Sequence, residues 1–408
     1  MKNLNSLLGL MVWVTMPSFA LAQSALVPAQ TDDKNTIRIG AIFPLTGGSS
    51  DMGTSARIGA QVAVDQLNQE LGGLLGRKVQ LVVRDDAATP DTGLKHAEDL
   101  VLKEKVQATV GYCNSGVAMK ALDVFQTNKH PLLVTCATGS AITGKYPAAE
   151  SYIFRTSARD QLQSQFLVDD IVKRKLKKVA FLVDDSGYGD AGLKDLEAAL
   201  QKAGLPAHKV LRFKVGVKTL LEEVKQLKDS GADALVGWTV GPEQGVIAAS
   251  RAAAKWDVPQ FGPWGLSHAS ALSGSGGAAN GTLMVQTVLP NVGLERHASF
   301  LRGYAKLSKE LPIGSMMAAA QSYDAVNLLL RAMFQTQSDL SGPRIKHALE
   351  NIAKPYYGVV TTYVSPFSSK DHDAISANML WLGTWANGER SYAYKEDAAK
   401  AVVLRRRE

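Results

Sequence analysis

A single rhythm constrains this chain most: a short apolar run ending at small or polar residues, then a helical stretch, then another apolar run. Ile37-Arg38-Ile39-Gly40-Ala41-Ile42-Phe43 reads as a buried strand ending at Pro44. A helical pattern over 55–71 follows, with Ile58, Val62, Val64 and Leu67 on one face and Gly72-Gly73 as its stop. Strands are expected at 79–83, 108–111 and 131–134, with helices opening at Pro90 and Ser115 between them. The rhythm restarts at Lys178 with strands at 178–183, 210–213 and 234–237 and helices over 190–203, 219–229 and 242–255. Strands alternating with helices of this length imply βαβ units and parallel sheets. The segments 37–150 and 178–285 are therefore a coarse internal duplication. Residues 290–350 read as mostly helical, and 356–395 as short β segments punctuated by Pro366 and Gly388. No low-complexity linker separates the halves, so packed lobes joined by several crossings are expected.

Composition narrows the class. The 408 residues are 46% apolar and 20% charged, ordinary soluble usage. Disorder, a collagen repeat and a polytopic membrane protein are excluded. The net charge of +7, from 45 basic and 38 acidic residues, is spread along the chain, so no nucleic-acid partner is expected. Residues 1–22 have the form of a secretory signal. Lys2 precedes an apolar run, Pro17 interrupts it, and Ala20-Leu21-Ala22 offers a cleavage site before Gln23. The run is too short to span a bilayer. Export to an oxidising compartment is expected.

In open parallel sheets, ligands bind beyond the carboxyl ends of the strands. Those ends carry Thr46 to Gly53, Tyr112-Cys113-Asn114-Ser115-Gly116 and Thr135-Cys136-Ala137-Thr138-Gly139-Ser140 in the first half. The second half carries Ser186-Gly187-Tyr188-Gly189, Trp238-Thr239-Val240-Gly241 and Pro263-Trp264-Gly265. Asn114, Ser115, Thr138 and Ser140 stand just before helices, where free N–H groups favour anions. Plain helix capping is the competing account, because these residue types are the preferred caps.

Together, these marks resemble a periplasmic substrate-binding protein of the leucine/isoleucine/valine-binding type over about residues 36–395. They are I-R-I-G-A-I-F-P-L-T-G at 37–47, G-A-x-x-A-V-x-x-L-N at 59–68, Asp85-Asp86, Ala137-Thr138 with Ile142-Thr143, and Asp184 with Tyr188-Gly189. Tyr323-Asp324-Ala325 and Phe367-Ser368 before Asp371-His372 complete the series. The resemblance implies a type I periplasmic-binding fold, α/β, with two doubly wound parallel-sheet lobes and a ligand cleft between them. It implies a first lobe of 36–155 with 288–360 and a second of 156–287 with 361–408. It also implies a monomer in the periplasm that delivers a solute to an inner-membrane ABC permease, without a cofactor. A ligand-sensing module without transport is the alternative.

The resemblance places the ligand carboxylate at Asn114 and at Cys136, Ala137 and Thr138, with Tyr188 closing over it and Met52 in the first loop. Trp264 stands where the family often has a Glu that pairs with the ligand ammonium. A buried ammonium without a counter-charge costs several kcal/mol. An aromatic or apolar carboxylate is therefore expected over a free amino acid, and Asp184 and Glu243 are the acids available if an ammonium is present. Met52, Tyr112, Tyr188, Trp238 and Trp264 would form an aromatic-rich pocket, with core packing as the competing role. Catalytic residues and a metal site are not expected, because no Walker loop, G-x-S-x-G elbow or metal-spaced His pair occurs. His268 reads as a surface or capping residue. The only cysteines, Cys113 and Cys136, follow adjacent strands, so either a disulfide across the cleft floor or two free buried thiols fits.

Overall fold

The computed structural model describes residues 35–289, 293–308 and 313–401. The signal segment and the basic tail at 405–407 lie outside the described residues. No described helix is long and apolar enough to cross a membrane.

The first half runs β1 (Thr36–Phe43), α1 (Ser50–Glu70), β2 (Lys78–Asp85), α2 (Pro90–Glu98), β3 (Ala108–Gly111), α3 (Ser115–Thr127), β4 (Leu132–Val134), α4 (Ala141–Gly144) and β5 (Ile153–Arg155). The second runs α5 (Asp160–Lys173), β6 (Val179–Asp184), α6 (Gly187–Lys202), β7 (Lys209–Phe213), α7 (Leu221–Asp229), β8 (Ala234–Trp238), α8 (Gly241–Ala253), β9 (Gln260–Gly262), α9 (Ala269–Gly274) and β10 (Leu283–Gln286). Then come α10 (Glu295–Leu307), α11 (Met316–Gln335), α12 (Gly342–Glu350), β11 (Tyr356–Tyr357), β12 (Thr362–Tyr363), β13 (Trp381–Ala386), β14 (Glu389–Tyr392) and α13 (Lys395–Lys400).

Two large sheets result. The first has the order β2-β1-β3-β4-β5 and is parallel throughout. The second has the order β14-β13-β10-β9-β8-β6-β7, with β13 and β14 antiparallel to their neighbours and the rest parallel. The α/β architecture expected from the rhythm is therefore present. α1 begins at Ser50, five residues earlier than periodicity places it, because its first turn is polar and shows no apolar repeat.

Strand alternation builds the layers. Val179, Phe181 and Val183 enter one core cluster, while Ala180 and Leu182 enter another on the opposite face. In the first sheet Ile37, Ile39, Ala41 and Phe43 face one layer and Ile42 faces the other. Successive side chains of a strand point to opposite faces, so both faces need a helical cover. Each large apolar side chain fully buried this way contributes about 1.5–3 kcal/mol. α1 is pressed against α11 so closely that a Cβ on Gly59 would stand 2.0 Å from the Ala319 carbonyl oxygen. Only glycine allows that approach.

The chain passes between the sheets beside β5. Arg155 pairs with Asp373 across a parallel bridge, with Arg155 N donating to His372 O and Ala374 N donating to Arg155 O. This places a buried arginine directly behind the turn that leaves β4.

Candidate functional site

Strand ends from both sheets meet around one enclosed cavity. It is lined by Met52, Cys113, Asn114, Ser115, Thr138 and Tyr188 and, from the second sheet, Thr239, Val240, Trp264, Gly265 and His268. The room inside it is about 20 Å³, so these side chains stand close together. None of these lining residues is an Asp, Glu, Lys or Arg.

The turn after β3 is bent by its backbone. Gly111 has φ +136° and Tyr112 has φ +59°. A bulky residue in the left-handed region costs on the order of 1–3 kcal/mol and persists only where its surroundings fix it. Here the Tyr112 hydroxyl donates to Gly93 O at 3.0 Å, and its ring meets Phe125 edge-on at 6.1 Å. Tyr112 is thereby buried behind the sheet, and Cys113 and Asn114 emerge into the cleft.

α3 starts at this turn without a side-chain cap. The Asn114 amide donates to Ser49 Oγ at 3.0 Å instead. The first N–H groups of a helix have no acceptor within it, so those of α3 are open toward the pocket side. Ser115 Oγ accepts from Gly139 N at 3.0 Å, tying this turn to the one after β4.

The β4 turn is held from behind by charge. Arg155, wholly buried, donates through Nη1 to Thr138 O at 3.0 Å and Gly139 O at 2.8 Å. Its Nε donates to Asp373 Oδ1 at 2.6 Å, and Arg159 pairs with the other carboxylate oxygen. Burial pushes the Asp373 carboxyl up, but Arg155 and Arg159 outweigh it and hold it at about 2. With its carbonyls drawn back to Arg155, the turn presents the Thr138 side chain to the cavity. The Thr138 hydroxyl lies against Asp160, whose Oδ1 accepts from Gln163 Nε2 at 3.3 Å. Burial raises the Asp160 carboxyl to about 7, against the opposing pull of Thr138 and Arg155.

Hydrogen bonds cross between the two sheets' sides at the rim. Ser270 Oγ donates to Asp51 Oδ2 at 2.6 Å and Ser140 Oγ to Asp195 Oδ2 at 2.7 Å, while within the second half Trp264 N donates to Gln163 Oε1 at 3.0 Å.

Of the residues expected at the ligand, Met52, Asn114, Ser115, Thr138, Tyr188 and Trp264 line the cavity together. Tyr112, Cys136, Ala137 and Trp238 do not. Trp238 is fully buried beneath Tyr188 at 6.0 Å between rings, and its indole lies on Gly192, where any Cβ would stand 1.9 Å from Nε1. Ala137 faces the layer covered by α3, and its carbonyl accepts from Ser157 Oγ at 2.8 Å. Cys136 is buried beside Thr135, with Sγ 3.3 Å from its hydroxyl.

A disulfide between Cys113 and Cys136 is not formed: both are free and buried. The register Gly111↔Val134 does bring them side by side, but as thiols in hydrogen-bond contact. Burial pushes the Cys113 thiol well up, which suppresses the thiolate that disulfide formation needs.

The alternative acids are committed elsewhere. Asp184 Oδ1 accepts from Ser186 N at 3.0 Å and from Ser186 Oγ at 2.5 Å, and Glu243 accepts from Gly216 N at 2.7 Å. Asp160, beside Thr138, is the acid that sequence reasoning missed. His268 is also corrected: it is 1% exposed, lines the cavity and makes no side-chain cap. Thr239, Val240 and Gly265 lay within the strand-end segments that the sequence pointed to, but nothing local marked them out from Trp238. Among the described residues no group of His, Cys, Asp and Glu is placed to hold a metal.

Residues 36–389 match a family model described as periplasmic binding protein. The chain is 32% identical over 248 residues to Leu/Ile/Val-binding protein homolog 3 of Brucella melitensis, covering 60% of this chain and 66% of that protein. The aligned stretch thus falls just short of two thirds of that relative. Among solved structures, the fold resembles a branched-chain amino acid transporter substrate-binding protein of Streptococcus pneumoniae in complex with isoleucine. The TM-score is 0.75 at 22% identity, covering 87% of this chain and 98% of that one. It equally resembles an ABC-transporter solute-binding protein of R. palustris in complex with benzoate, with TM-score 0.75 at 19% identity and coverages of 88% and 95%.

Proposed function

Because the chain belongs to the periplasmic binding protein family, whose members bind solutes and are not enzymes, we propose that it is an exported binding protein that hands a small carboxylate to an inner-membrane ABC permease. The reading takes 36–155 with 288–360 as one lobe and 156–287 with 361–408 as the other, closing as a monomer on the ligand.

One observation carries it: α3 opens onto the cavity uncapped, although an Asn stands at its cap position. Capping was the competing account: Asn114 makes no cap hydrogen bond to α3, which supports the binding reading there, while Ser140 Oγ accepts from Gln161 N in the first turn of α5. A carboxylate there receives backbone N–H groups of α3 and the hydroxyls of Ser115 and Thr138. Asn114 orders the loop through Ser49. Met52, Tyr188 and Trp264 then enclose an apolar body. No carboxylate is part of the lining. The nearest, Asp160, stands behind Thr138 with its carboxyl raised to about 7 by burial, and Trp264 occupies the expected position of a pairing acid. An aromatic or apolar carboxylate is favoured over a free branched-chain amino acid. The relative bound to isoleucine and the one bound to benzoate bracket the two possibilities.

Calorimetric titration of the mature protein with benzoate, phenylacetate, L-leucine and L-isoleucine tests it. Aromatic carboxylates are expected to bind most tightly, and Trp264→Glu is expected to shift preference toward the amino acids. Leucine binding at micromolar level or better by the unmodified protein overturns the preference.

A further inference from the structure

We propose that the second-sheet wall of the cavity is a reading head for an uncharged hydroxyl on the ligand, formed by His268 and Thr239. The ligand class becomes a hydroxylated aromatic carboxylate. This rests on the carboxylate reading above and extends it to the far end of the molecule.

Thr239 is fully buried and His268 is 1% exposed, and both line the cavity. Among the described residues neither Thr239 Oγ1 nor His268 Nε2 has a hydrogen-bond partner. A buried polar atom left unpaired costs about 1–3 kcal/mol. Two such atoms on one wall of a ligand cavity are best explained by a partner that arrives with the ligand. They lie across the cavity from α3, because Thr239 follows β8 and His268 precedes α9, both in the second half.

Their surroundings select the partner's charge. Burial lowers the His268 imidazole, so it is neutral at ordinary pH, and nearby Asp51 and Arg390 act on it in opposite senses. Asp51 accepts from Ser270 Oγ at 2.6 Å and from Met52 N at 2.7 Å. Arg390 is spent on carbonyls, donating through Nε to Ser267 O at 2.5 Å and through Nη2 to Gly314 O at 3.1 Å. Both charged groups are thus engaged with the protein and neither lines the cavity, so the groups this wall presents to a ligand are uncharged. A neutral imidazole and a threonine hydroxyl can each give or take one hydrogen bond. A hydroxyl, which both donates and accepts, suits them together. Between the poles Met52, Tyr188 and Trp264 supply the apolar middle, and Trp264 also fixes the imidazole edge-on at 5.0 Å.

The test is calorimetric titration of the mature protein with benzoate, 3-hydroxybenzoate and 4-hydroxybenzoate, repeated on His268→Leu and Thr239→Val. At least one hydroxylated ligand is expected to bind about tenfold or more tightly than benzoate. In either variant that preference is expected to fall below about threefold, with residual benzoate binding showing that the variant is folded. The inference is overturned if benzoate binds and neither hydroxyl adds affinity, or if the preference survives in either variant. If none of the three binds, the carboxylate reading fails first and takes this one with it. If benzoate alone binds, only the hydroxyl pole fails.

Discussion

Two helices begin near the cavity from opposite sheets, and they treat their first turns in opposite ways. α6 closes itself: Ser186 Oγ accepts from Tyr188 N at 3.2 Å and Gly189 N at 3.4 Å, and Asp184 holds that serine in place. α3 carries Asn114 at the same position, a cap of equal quality, and leaves its first turn open. Its neighbouring β4 turn is ordered by the Arg155–Asp373 pair behind it. The lesson is that a capping residue at a strand end does not show whether the helix start is structural or functional. What shows it is where that side chain's hydrogen bond goes.

The largest effect expected from this contrast lies behind the open turn. Asp373→Asn leaves Arg155 buried without its counter-charge, and breaking such a pair costs about 3–5 kcal/mol. Chemical denaturation of the two proteins measures it. Asp373 is held at about 2 against an ordinary 3.8. Its stabilisation is therefore complete above about pH 4 and is lost as pH falls through about 2, so the variant's stability should decline less over that window. A loss under about 1 kcal/mol would mean that the turn is ordered by something else.

The contrast itself is sharpened by a pair of substitutions. Thr138→Ala removes a hydrogen bond to a charged ligand group, about 1.5–3 kcal/mol, and should weaken carboxylate binding about tenfold or more. Thr138→Ser should restore most of it. Ser186→Ala removes a cap and should cost about 1 kcal/mol of stability with little change in affinity. If the two exchange signatures, so that the cap matters to binding and Thr138 to stability alone, the comparison is broken.

The smallest effect is in pH dependence. Asp160 is raised to about 7 by burial, opposed by Thr138 and Arg155 and reinforced by Asp195, with Tyr188 also facing it. A ligand carboxylate at Thr138 favours the protonated form, so binding takes up protons and affinity falls as pH rises through about 7. The dissociation constant should rise about three- to tenfold from pH 6 to pH 8.5, and Asp160→Asn should flatten the trend. An affinity that instead rises with pH would mark a ligand ammonium paired with ionised Asp160.

The regular parts of this molecule were legible because their signals are local. The continuous apolar run at 179–183 and the helical repeat over 55–71 each declare their own burial pattern. The site was legible only to the level of the loop. The strand-end rule picked out the segments holding Asn114, Thr138, Tyr188 and Trp264, yet within those segments it could not separate Tyr112 from Cys113 or Trp238 from Thr239. The cysteines were correctly placed as neighbours, but register alone does not decide whether neighbouring thiols bond.

The sequence by itself determined the βα rhythm, the two sheets and the ends of strands at which a ligand would be met, because backbone hydrogen bonding and alternating burial act between residues close along the chain. Tertiary structure decided which residues face that ligand. Tyr112 turns away because a carbonyl 19 residues distant, that of Gly93, receives its hydroxyl. Trp238, at the end of β8, stays in the core because Gly192 on α6 leaves room for its indole. His268 becomes a wall of the cavity because Trp264 and the second sheet enclose it. Those contacts join elements far apart in the chain, and no local pattern records them.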